Sequence, residues 1–383
     1  MKRHKLCAIL NLSKNYEELK PLSNHRPVAA LPFGCRYCII DFMLSSISHA
    51  GIDSVALFID KSGRSIYDHI RSAREWDMDS AITGGTFTFS QQRWKHRHYM
   101  ENNVGKDYFS DHRLFMSKAK ADYVVVMSGE YVLNLDIDSV VQHHLKNESE
   151  ITVVYQNLPK EQFAKRSHLR FLEMDEKGVV VNLREAAPED EKLAVNTEIY
   201  VLKKDTLNEI MDRANADANY MDIGAVLSKY LLAYKTNAFE YTGYLAGIDS
   251  VEAYFNRNME MLDSAKFNSL FHSSKPVITR TKNGAPTFYS EESNVSSAQC
   301  ATGCEIYGSV HHSLLFRDVS VGKNAQIENS IIFTRGKIGE GVKLNYVILD
   351  KNVVVDEGVE LSGSKDAILV VPKNTHVTKG WTP

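Results

Sequence analysis

The sequence lacks the features of membrane, secreted and nucleic-acid-binding proteins. No apolar run approaches the roughly 20 residues that a membrane-spanning helix needs. The apolar run after the basic start Met1–Lys5 ends at Leu12, which is too short for a secretory signal with its cleavage site. A net charge of −3 over 383 residues leaves no basic excess for nucleic acid. These absences predict a cytoplasmic protein with no membrane and no nucleic-acid partner.

Cysteines are few, and their number, five, is odd. An odd number in a cytoplasmic chain argues against a disulfide framework. The pairs Cys35-x-x-Cys38 and Cys300-x-x-x-Cys304 leave a zinc site as one interpretation. Each pair lies in an apolar pattern, which makes packing in the core the favoured interpretation. We therefore predict no bound metal.

Glycine is missing where an α/β nucleotide-binding domain needs it most. The stretch Cys7–Phe42 reads as a buried strand (Cys7–Leu10), a loop, and a helix from about Ile39. Such a first loop usually wraps a phosphate, which requires glycines for close backbone approach and a cation to offset the charge. The loop Asn11–Glu18 contains no glycine. The loop that should hold a phosphate therefore lacks the glycines that this role requires.

Strand-like and helix-like segments alternate up to about residue 265, which predicts a Rossmann-like α/β domain with a mostly parallel sheet. The predicted strands are Leu6–Leu10, Ser54–Ile59, Tyr123–Met127, Ile151–Tyr155, Val179–Val181 and Ile199–Leu202. The predicted helices include Ile39–Ala50, Ser65–Arg74, Ile137–Leu145 and Asp222–Tyr234, and Gln91–Lys106 reads as a long polar loop. Turn-forming residues then predict a linker over residues 269–290, which places the first domain at residues 1–268.

Residues 291–383 repeat with a fixed period. Val321, Ile338 and Val355 are each 17 residues apart, and so are Val310, Ile327 and Leu344. Aliphatic residues also recur every six residues within a copy. A six-residue step repeated about three times per copy describes one coil of a left-handed parallel β-helix. A β-sandwich of short strands is the alternative, but it does not require a fixed register.

This combination, an α/β domain followed by a β-helix, resembles the glucose-1-phosphate adenylyltransferase (ADP-glucose pyrophosphorylase) family over nearly the whole chain. The resemblance implies a GT-A-like nucleotidyltransferase domain that converts ATP and glucose 1-phosphate to ADP-glucose and pyrophosphate, with Mg²⁺ held by two aspartates. The matching motifs are Lys20-Pro21-Leu22-Ser23, Arg26, Pro32-Phe33-Gly34, Tyr37, Ile40-Asp41-Phe42, Leu44-Ser45, Gly51-Ile52, Ser128-Gly129, Asp222-Ile223-Gly224, Glu240-Tyr241-Thr242-Gly243-Tyr244 and the segment Gly308–Phe316.

The family's catalytic positions are altered in this sequence. Glu18 stands where the family has the arginine of the nucleotide loop, and Val28 where it has a lysine. Glu130 replaces one metal-binding aspartate, and Gly247 replaces the other. Ala186 replaces the lysine that grips the sugar phosphate. Because Mg²⁺ demands near-ideal octahedral geometry, even the conservative change at Glu130 displaces a ligand.

The joint loss resembles the GlgD-type subunit of the family, which accompanies a catalytic GlgC-type subunit. The resemblance implies a regulatory, catalytically inactive member of a heterotetramer in glycogen biosynthesis. ATP and Mg²⁺ would then belong to the active subunits, with no cofactor assigned to this chain. Three alternatives stay open: an active or weakly active nucleotidyltransferase that uses Glu130 and the relocated Asp249, a sugar-phosphate-sensing or structural module, and a homo-oligomer of this chain alone.

Two pairs of arginines are the predicted site for an anionic effector such as a phosphorylated sugar. Arg26 and Arg36 belong to the stretch Cys7–Phe42, and the guanidinium group suits bidentate phosphate contacts. Arg93 and Arg97 lie in the basic run from Gln91 to His98. That run also reads as a solvated loop or as a contact with an acidic partner surface.

Two features of the β-helix carry further predictions. His311-His312 lies at a coil where β-helix acyltransferases carry a catalytic base, but neighbouring coils have Glu328-Asn329 and Asn345-Tyr346 at the aligned positions. These histidines therefore read as ordinary surface residues. The segment Val353–Val371, with its strand edge, is a predicted oligomer contact.

Overall fold

The computed structural model describes residues 5–60, 63–79, 84–102, 107–162, 166, 168–187, 189–272 and 275–382. The chain forms two compact units, each interrupted in sequence by the other. The first comprises Met1–Lys14 and Phe42–Leu245, and the second comprises Asn15–Asp41 and Ala246–Pro383. In the described ranges, no helix is both long and apolar enough to cross a membrane.

The elements that precede the repeats follow the predicted alternation. The helices are α1 (Ile39–His49), α2 (Arg64–Ile70), α3 (Gln92–Asn102), α4 (Ser110–Ala119), α5 (Ile137–Lys146), α6 (Lys204–Ala216), α7 (Ile223–Tyr230), α8 (Val251–Met259) and α9 (Ser264–Phe271). The strands are β1 (Leu6–Leu12), β2 (Pro32–Phe33), β3 (Tyr37–Cys38), β4 (Ser54–Ile59), β5 (Gly85–Phe89), β6 (Tyr123–Ser128), β7 (Tyr131–Val132), β8 (Ile151–Pro159), β9 (Phe171–Met174), β10 (Val180–Arg184), β11 (Lys192–Lys203), β12 (Thr236–Glu240) and β13 (Ala246–Gly247).

The sheet of the first unit is Rossmann-like on one side and mixed on the other. Its strand order is β10-β9-β11-β6-β1-β4-β5, with β8 paired to β11 and β12 paired to β8. Strands β6, β1, β4 and β5 run parallel to one another, whereas β11 is antiparallel to β6. Cys7, Ala8, Ile9 and Leu10 are fully buried, as expected for a central strand covered on both faces. The α/β fold class is confirmed.

Several predicted bounds were wrong, and α3 is the clearest case. The segment Gln92–Asn102 was predicted as part of a polar loop because it has no apolar stripe. The helix is held by other means: Lys95 pairs with Asp111 at 2.8 Å, and the Tyr99 ring packs edge-on against Tyr108 at 5.2 Å between centroids. The end of the predicted loop, residues 103–106, lies outside the described residues.

Other elements are longer or shorter than their apolar runs suggested. The predicted strand Ile199–Leu202 is the end of β11, a longer strand with an irregularity between Asn196 and Ile199. The predicted helix Ser65–Arg74 ends at Ile70. The helix predicted to extend to Tyr234 ends at Tyr230 and continues as a 3-10 turn. The chain leaves α2 at Arg71, whose φ angle is 48°, and the apolar residues Leu231–Ala233 explain the over-extension of the helix predicted to reach Tyr234.

The second unit contains the parallel β-helix. Its strands form three sheets, with five or six strands in each. They are β14 (Phe288–Tyr289), β15 (Asn294–Ser296), β16 (Gln299–Cys300), β17 (Glu305–Ile306), β18 (Ser309–His311), β19 (Leu314–Leu315), β20 (Ser320–Val321), β21 (Gln326–Glu328), β22 (Ile331–Ile332), β23 (Lys337–Ile338), β24 (Lys343–Asn345), β25 (Val347–Leu349), β26 (Val354–Val355), β27 (Glu360–Ser362), β28 (Leu369–Val371) and β29 (His376–Val377).

The predicted repeat is the register of the coils. Val310 pairs with Ile327 and Ile327 pairs with Leu344, so aliphatic side chains stack directly in a buried column. Val321, Ile338 and Val355 stack in the same way on another sheet. The period of the repeat and the β-helix itself are confirmed.

The segment Asn15–Asp41 packs within the second unit, although it precedes most of the first unit in sequence. The backbone N–H of Gly34 donates to Asn258 Oδ1 at 3.1 Å, and Tyr254 donates its hydroxyl to the carbonyl of Pro32 at 2.5 Å. The Tyr254 ring, in turn, contacts the ring of Phe333 in the β-helix. Helix α8 therefore joins this segment to the coils.

Candidate functional site

The carboxyl ends of β1 and β6 carry the polar residues of the first unit's candidate site. Asn11 and Ser128 are buried at the ends of these two neighbouring parallel strands. Ligands of open α/β sheets bind at this edge, because the strand ends and the following loops converge there. Gly129 follows β6 in close contact with β1: a Cβ atom at this position would lie 2.6 Å from Leu12 Cδ2.

Asp222 lies at the same edge and caps helix α7. Its Oδ1 accepts from the backbone N–H groups of Gly224 and Ala225, both at 3.1 Å, and from Asn11 Nδ2 at 2.5 Å. These bonds satisfy backbone donors that the first turn of a helix leaves open. The side chain of Asp222 is therefore committed to structure.

Lys14 is the central cation of the site. Its Nζ lies 3.0 Å from Glu130 Oε1 and 2.6 Å from Glu198 Oε2. The second oxygen of Glu130 accepts a short hydrogen bond from Ser128 Oγ. The Glu130 side chain is 3% exposed, and those of Lys14 and Glu198 are 22% and 19% exposed. A lysine from the loop after β1 thus bridges two largely buried carboxylates.

Burial raises the pKa of Glu198 to about 7; Lys14 opposes this rise, and the carboxylates of Glu130 and Asp222 add to it. Burial likewise raises the pKa of Tyr131, next to Glu130, above its usual range. The site therefore brings several carboxylates together, and Lys14 supplies a positive charge that contacts two of them.

The residues at this edge do not fit a magnesium ion. Magnesium requires an octahedral set of oxygen ligands, usually with one or two carboxylates and several waters. Here Glu130 faces an ammonium and a hydroxyl donor, and Asp222 caps a helix. Among the residues that the structure describes, no group of three or more His, Cys, Asp or Glu side chains is arranged to hold a metal.

The structure places the other positions that depart from the family pattern in different surroundings. Glu18 lies exposed in a 3-10 turn, Val28 is buried, and Ala186 is an exposed loop residue. Gly247 is buried in β13. Asp249, the residue considered as a relocated ligand, is 5% exposed and belongs to the second unit, whereas Glu130 belongs to the first.

A second group of candidate side chains lies in the second unit. We call it the cation cluster, and it consists of Arg26, Arg36, Lys282, Arg317 and Lys351. Arg26 donates to Asp350 at 2.6 Å and lies over the Phe333 ring, with its side chain 7% exposed. The other four cations have no ion-pair partner among the described residues.

Burial and neighbouring positive charge act on the pKa values of three members of the cation cluster. Burial lowers the pKa of Lys351, and the charges of Arg26 and Lys282 lower it further. Burial also lowers the pKa of Lys282, with Arg317 adding to the effect. Burial and Arg36 together lower the pKa of Arg317. A group of cations that destabilise one another's charge is an environment that favours an anion.

The arginines predicted for an effector site therefore divide between the two units. Arg26 and Arg36 belong to the cation cluster. Arg93 and Arg97 are exposed on α3 in the first unit, one helical turn apart, where the exposed Trp94 ring stacks on His98. Their i, i+4 spacing places them on one face of the helix.

Sequence reasoning missed Glu198, Lys282, Arg317 and Lys351. Glu198 had a detectable signal, because it is an acidic residue between the apolar runs Leu193–Val195 and Ile199–Leu202 of β11. Arg317 and Lys351 also had one. Arg317 lies two residues after the stacked Leu315, and Lys351 lies two residues after the stacked Leu349. Both therefore occupy the same corner of the repeat. Lys282 lies in the linker, where no pattern marks it.

The cysteines are distributed as core residues. Cys7 lies in β1 of the first unit, and Cys35 and Cys304 are buried in the second unit. Burial raises the pKa of Cys300 to about 11 and that of Cys35 well above the usual range. Among the described residues, the cysteines join no group of three or more His, Cys, Asp or Glu side chains that could hold a metal. Core packing therefore describes these residues better than a zinc site.

His311 and His312 take part in a polar ladder along one corner of the β-helix. His312 Nδ1 lies 2.8 Å from Asn329 Oδ1, and Asn329 donates to Asn345 at 3.0 Å. His311 Nδ1 lies 2.8 Å from Ser296 Oγ. Side chains from successive coils thus satisfy one another, which supports the interpretation as ordinary corner residues.

Comparison with known proteins gives matches for both parts of the chain. Residues 17–264 match the nucleotidyl transferase family, and residues 286–367 match the GlmU-like C-terminal hexapeptide family. Among similar proteins, the glycogen biosynthesis protein GlgD of Geobacillus stearothermophilus is 34% identical over 332 residues, which cover 85% of this chain and 83% of that protein.

Two further relatives span almost the whole chain. The glycogen biosynthesis protein GlgD of Bacillus subtilis (strain 168) is 28% identical over 374 residues, with 97% of each chain covered. A glucose-1-phosphate adenylyltransferase of Bacillus cereus is 24% identical over 379 residues, which cover 96% of this chain and 98% of that enzyme. With a family match from residue 17 to 264 and these relatives, the chain belongs to the nucleotidyl transferase family and, within it, to the GlgD-type glycogen biosynthesis proteins.

Proposed function

We propose that this chain is a regulatory, catalytically silent subunit of a glucose-1-phosphate adenylyltransferase in glycogen biosynthesis. In this proposal it assembles with a catalytic GlgC-type subunit, as a heterotetramer, and binds a phosphorylated effector. Its relatives are named as glycogen biosynthesis proteins or as glucose-1-phosphate adenylyltransferases, which supports this setting.

Catalytic silence is supported by the side chains at the altered positions. Val28, Ala186 and Gly247 carry no group that can bind a phosphate or a metal. Glu18 is negatively charged, and a carboxylate near a triphosphate repels it. Glu130 retains a carboxylate, but both of its oxygens are engaged by Lys14 and Ser128.

The cation cluster carries the regulatory part of the proposal. Arg36, Lys282, Arg317 and Lys351 are cations without an ion-pair partner among the described residues, and burial together with neighbouring charges lowers the pKa of the last three. Such a cluster gains stability when a dianion binds, because the anion relieves the repulsion between the cations. Arginine supplies bidentate contacts to a phosphate, and lysine supplies point charge. A phosphorylated sugar is the effector class that fits this chemistry.

Arg26 has a different role in this proposal. Its guanidinium is already bonded to Asp350 and to the carbonyl of Leu22. It contributes positive potential, whereas the four unpaired cations make the direct contacts.

The first experiment is an assay of the purified chain alone with ATP, glucose 1-phosphate and Mg²⁺. We expect no turnover above background. Robust turnover would overturn the silent-subunit proposal, and its loss in Asp249→Ala would then favour an enzyme with relocated ligands.

Co-expression with a catalytic subunit should give one complex by size-exclusion chromatography. Absence of a complex would overturn the subunit assignment.

The second experiment tests the effector site by calorimetry with hexose phosphates and hexose bisphosphates, with inorganic phosphate as the comparator. We expect Arg317→Gln and Lys351→Gln each to weaken binding by about tenfold or more, because each removes a charge-assisted contact. Lys323→Gln and Lys337→Gln are matched controls, since both are exposed cations elsewhere on the β-helix. Equal binding by all four variants would overturn this site.

A further inference from the structure

Glu198 is held toward Lys14 by an unusual backbone. Its φ angle is 54°, in the left-handed region that side chains other than glycine rarely adopt. The position falls in the irregularity of β11 between Asn196 and Ile199, and Asn196 Oδ1 accepts from the Glu198 N–H at 2.9 Å. Irregularities of this kind redirect a side chain, and left-handed backbone at such a place indicates a functional constraint.

The opposite wall leaves space for the Glu198 carboxylate. Gly224, in the first turn of α7, faces Glu198: a Cβ atom at this glycine would lie 2.5 Å from Glu198 Oε2. No side chain larger than hydrogen fits there without moving the carboxylate. Two separate elements, β11 and α7, thus combine to place a second carboxylate beside Lys14.

Lys14 reaches the same point from the loop after β1. Its Nζ contacts Glu130 and Glu198 at 3.0 Å and 2.6 Å, and its side chain is 22% exposed. An ammonium group has three donors and a single charge, so it can bridge two carboxylates without the octahedral geometry of a magnesium ion. Partly buried carboxylates of like charge repel each other unless a cation lies between them.

We propose that the Lys14 ammonium is a built-in counter-ion that takes the place of a metal ion at this edge of the sheet, held there by Glu130 and Glu198. The inference rests on the proposed function, because a permanently bound lysine suits a chain that no longer turns over. It goes further in assigning a role to Lys14 and Glu198 that makes the folded first unit independent of divalent cations.

The test measures the melting temperature of the full chain alone, with EDTA and with MnCl₂, together with Mn²⁺ binding by electron paramagnetic resonance. For the wild-type chain we expect the same melting temperature in both solutions and no stoichiometric Mn²⁺. Lys14→Met should lower the melting temperature in EDTA by on the order of 5–10 °C. Mn²⁺ should bind this variant and restore much of the loss, because a cation can again separate the two carboxylates.

Lys160→Met is the matched control, since Lys160 pairs with Glu191 at 3.2 Å on the surface with side chains 37% and 79% exposed. We expect little change in its melting temperature and no response to Mn²⁺. If Lys14→Met does not fold, the double variant Lys14→Met/Glu198→Gln removes one of the two carboxylates that repel each other and should recover the folded chain.

Three results would overturn the inference: a wild-type chain that Mn²⁺ stabilises as much as the variant, a Lys14→Met variant as stable as the wild type, or a destabilised variant that Mn²⁺ does not restore. None of these measurements involves the catalytic subunit or an effector. Turnover by the chain alone would overturn the proposed function instead, whatever the melting data.

Discussion

The guanidinium of Arg26 donates to the carboxylate of Asp350 across 324 positions of sequence, at 2.6 Å, with both side chains less than 10% exposed. Asp350 follows strand β25 of the β-helix, and Arg26 lies in the loop segment that precedes β2. The bond therefore fixes the early segment to a coil of the second unit. It also keeps one member of the cation cluster in place.

Removing Arg26 should destabilise the second unit strongly. Arg26→Met leaves the Asp350 carboxylate buried without its cation, and the loss of one partner of a buried pair costs about 3–5 kcal/mol. Urea unfolding followed by circular dichroism measures this cost. Lys343→Met is the control, because the Lys343–Glu360 pair has a similar distance, 2.7 Å, with side chains 55% and 65% exposed. The control should lose less than about 1 kcal/mol. Equal losses in both variants would contradict the prediction.

His112 should make the first unit sensitive to acid. Its ring is stacked on Phe58 with 3.7 Å between centroids, and neither ring nitrogen has a hydrogen-bond partner among the described residues. Burial lowers its pKa from 6.5 to about 3, with Lys95 and Arg113 adding to the effect. Below pH 6.5, His112 therefore binds a proton in the unfolded chain but not in the folded chain. The free energy of unfolding falls as the pH drops from 6.5 toward 3.

His112→Phe should remove this dependence while preserving the stacked shape. The slope of stability against pH should become shallower by up to about 1.4 kcal/mol per pH unit below pH 6.5. Urea midpoints at several pH values between 7.5 and 4.5 measure the slope. At pH 7.5 the variant should be at least as stable as the wild type, because two unsatisfied buried nitrogens are lost. An unchanged slope would show that other groups control the acid response.

Ile327 should be a critical residue of the β-helix core. It is fully buried and stacks between Val310 and Leu344. Ile327→Ala removes methyl groups from a column that cannot collapse without breaking the strand register, so we expect a loss of about 2–5 kcal/mol. The side chain of Gln326, on the same strand, is exposed to solvent. Gln326→Ala should therefore change stability by less than about 0.5 kcal/mol. Urea unfolding distinguishes the two, and a small loss for Ile327→Ala would mean that the coils adapt more freely than their register suggests.

The parts of the fold that follow from periodicity could be predicted from the sequence. The buried run from Cys7 to Leu10 predicted the central strand, and the spacing of Val310, Ile327 and Leu344 predicted the stacked coils. Helix α3 could not be predicted in this way, because its stability comes from Lys95–Asp111 and from packing of Tyr99 against Tyr108 and Tyr220. Contacts between residues distant in sequence overrode a pattern typical of a loop.

The candidate sites were partly predictable for the same reason. Position-by-position comparison with a family pattern identified Glu130 as a changed residue, but not its partners. Lys14 lies in the loop whose missing glycines drew attention, and Glu198 lies next to a strand that its apolar residues predicted. Their meeting depends on the left-handed backbone at Glu198 and on the space beside Gly224. Neither feature follows from residue spacing.

The coils of the β-helix are unequal in length, and this has a consequence for how the protein can change over evolutionary time. Val295 pairs with Val310 and Val355 with Val377, so one early step is shorter and the last step is longer than the 17-residue repeat. The extra residues of the last coil include a small loop closed by a bridge between Ser364 and Ala367. Insertions and deletions can therefore accumulate at the corners while the stacked aliphatic columns stay in register, and the last corner is the natural place to graft a foreign peptide.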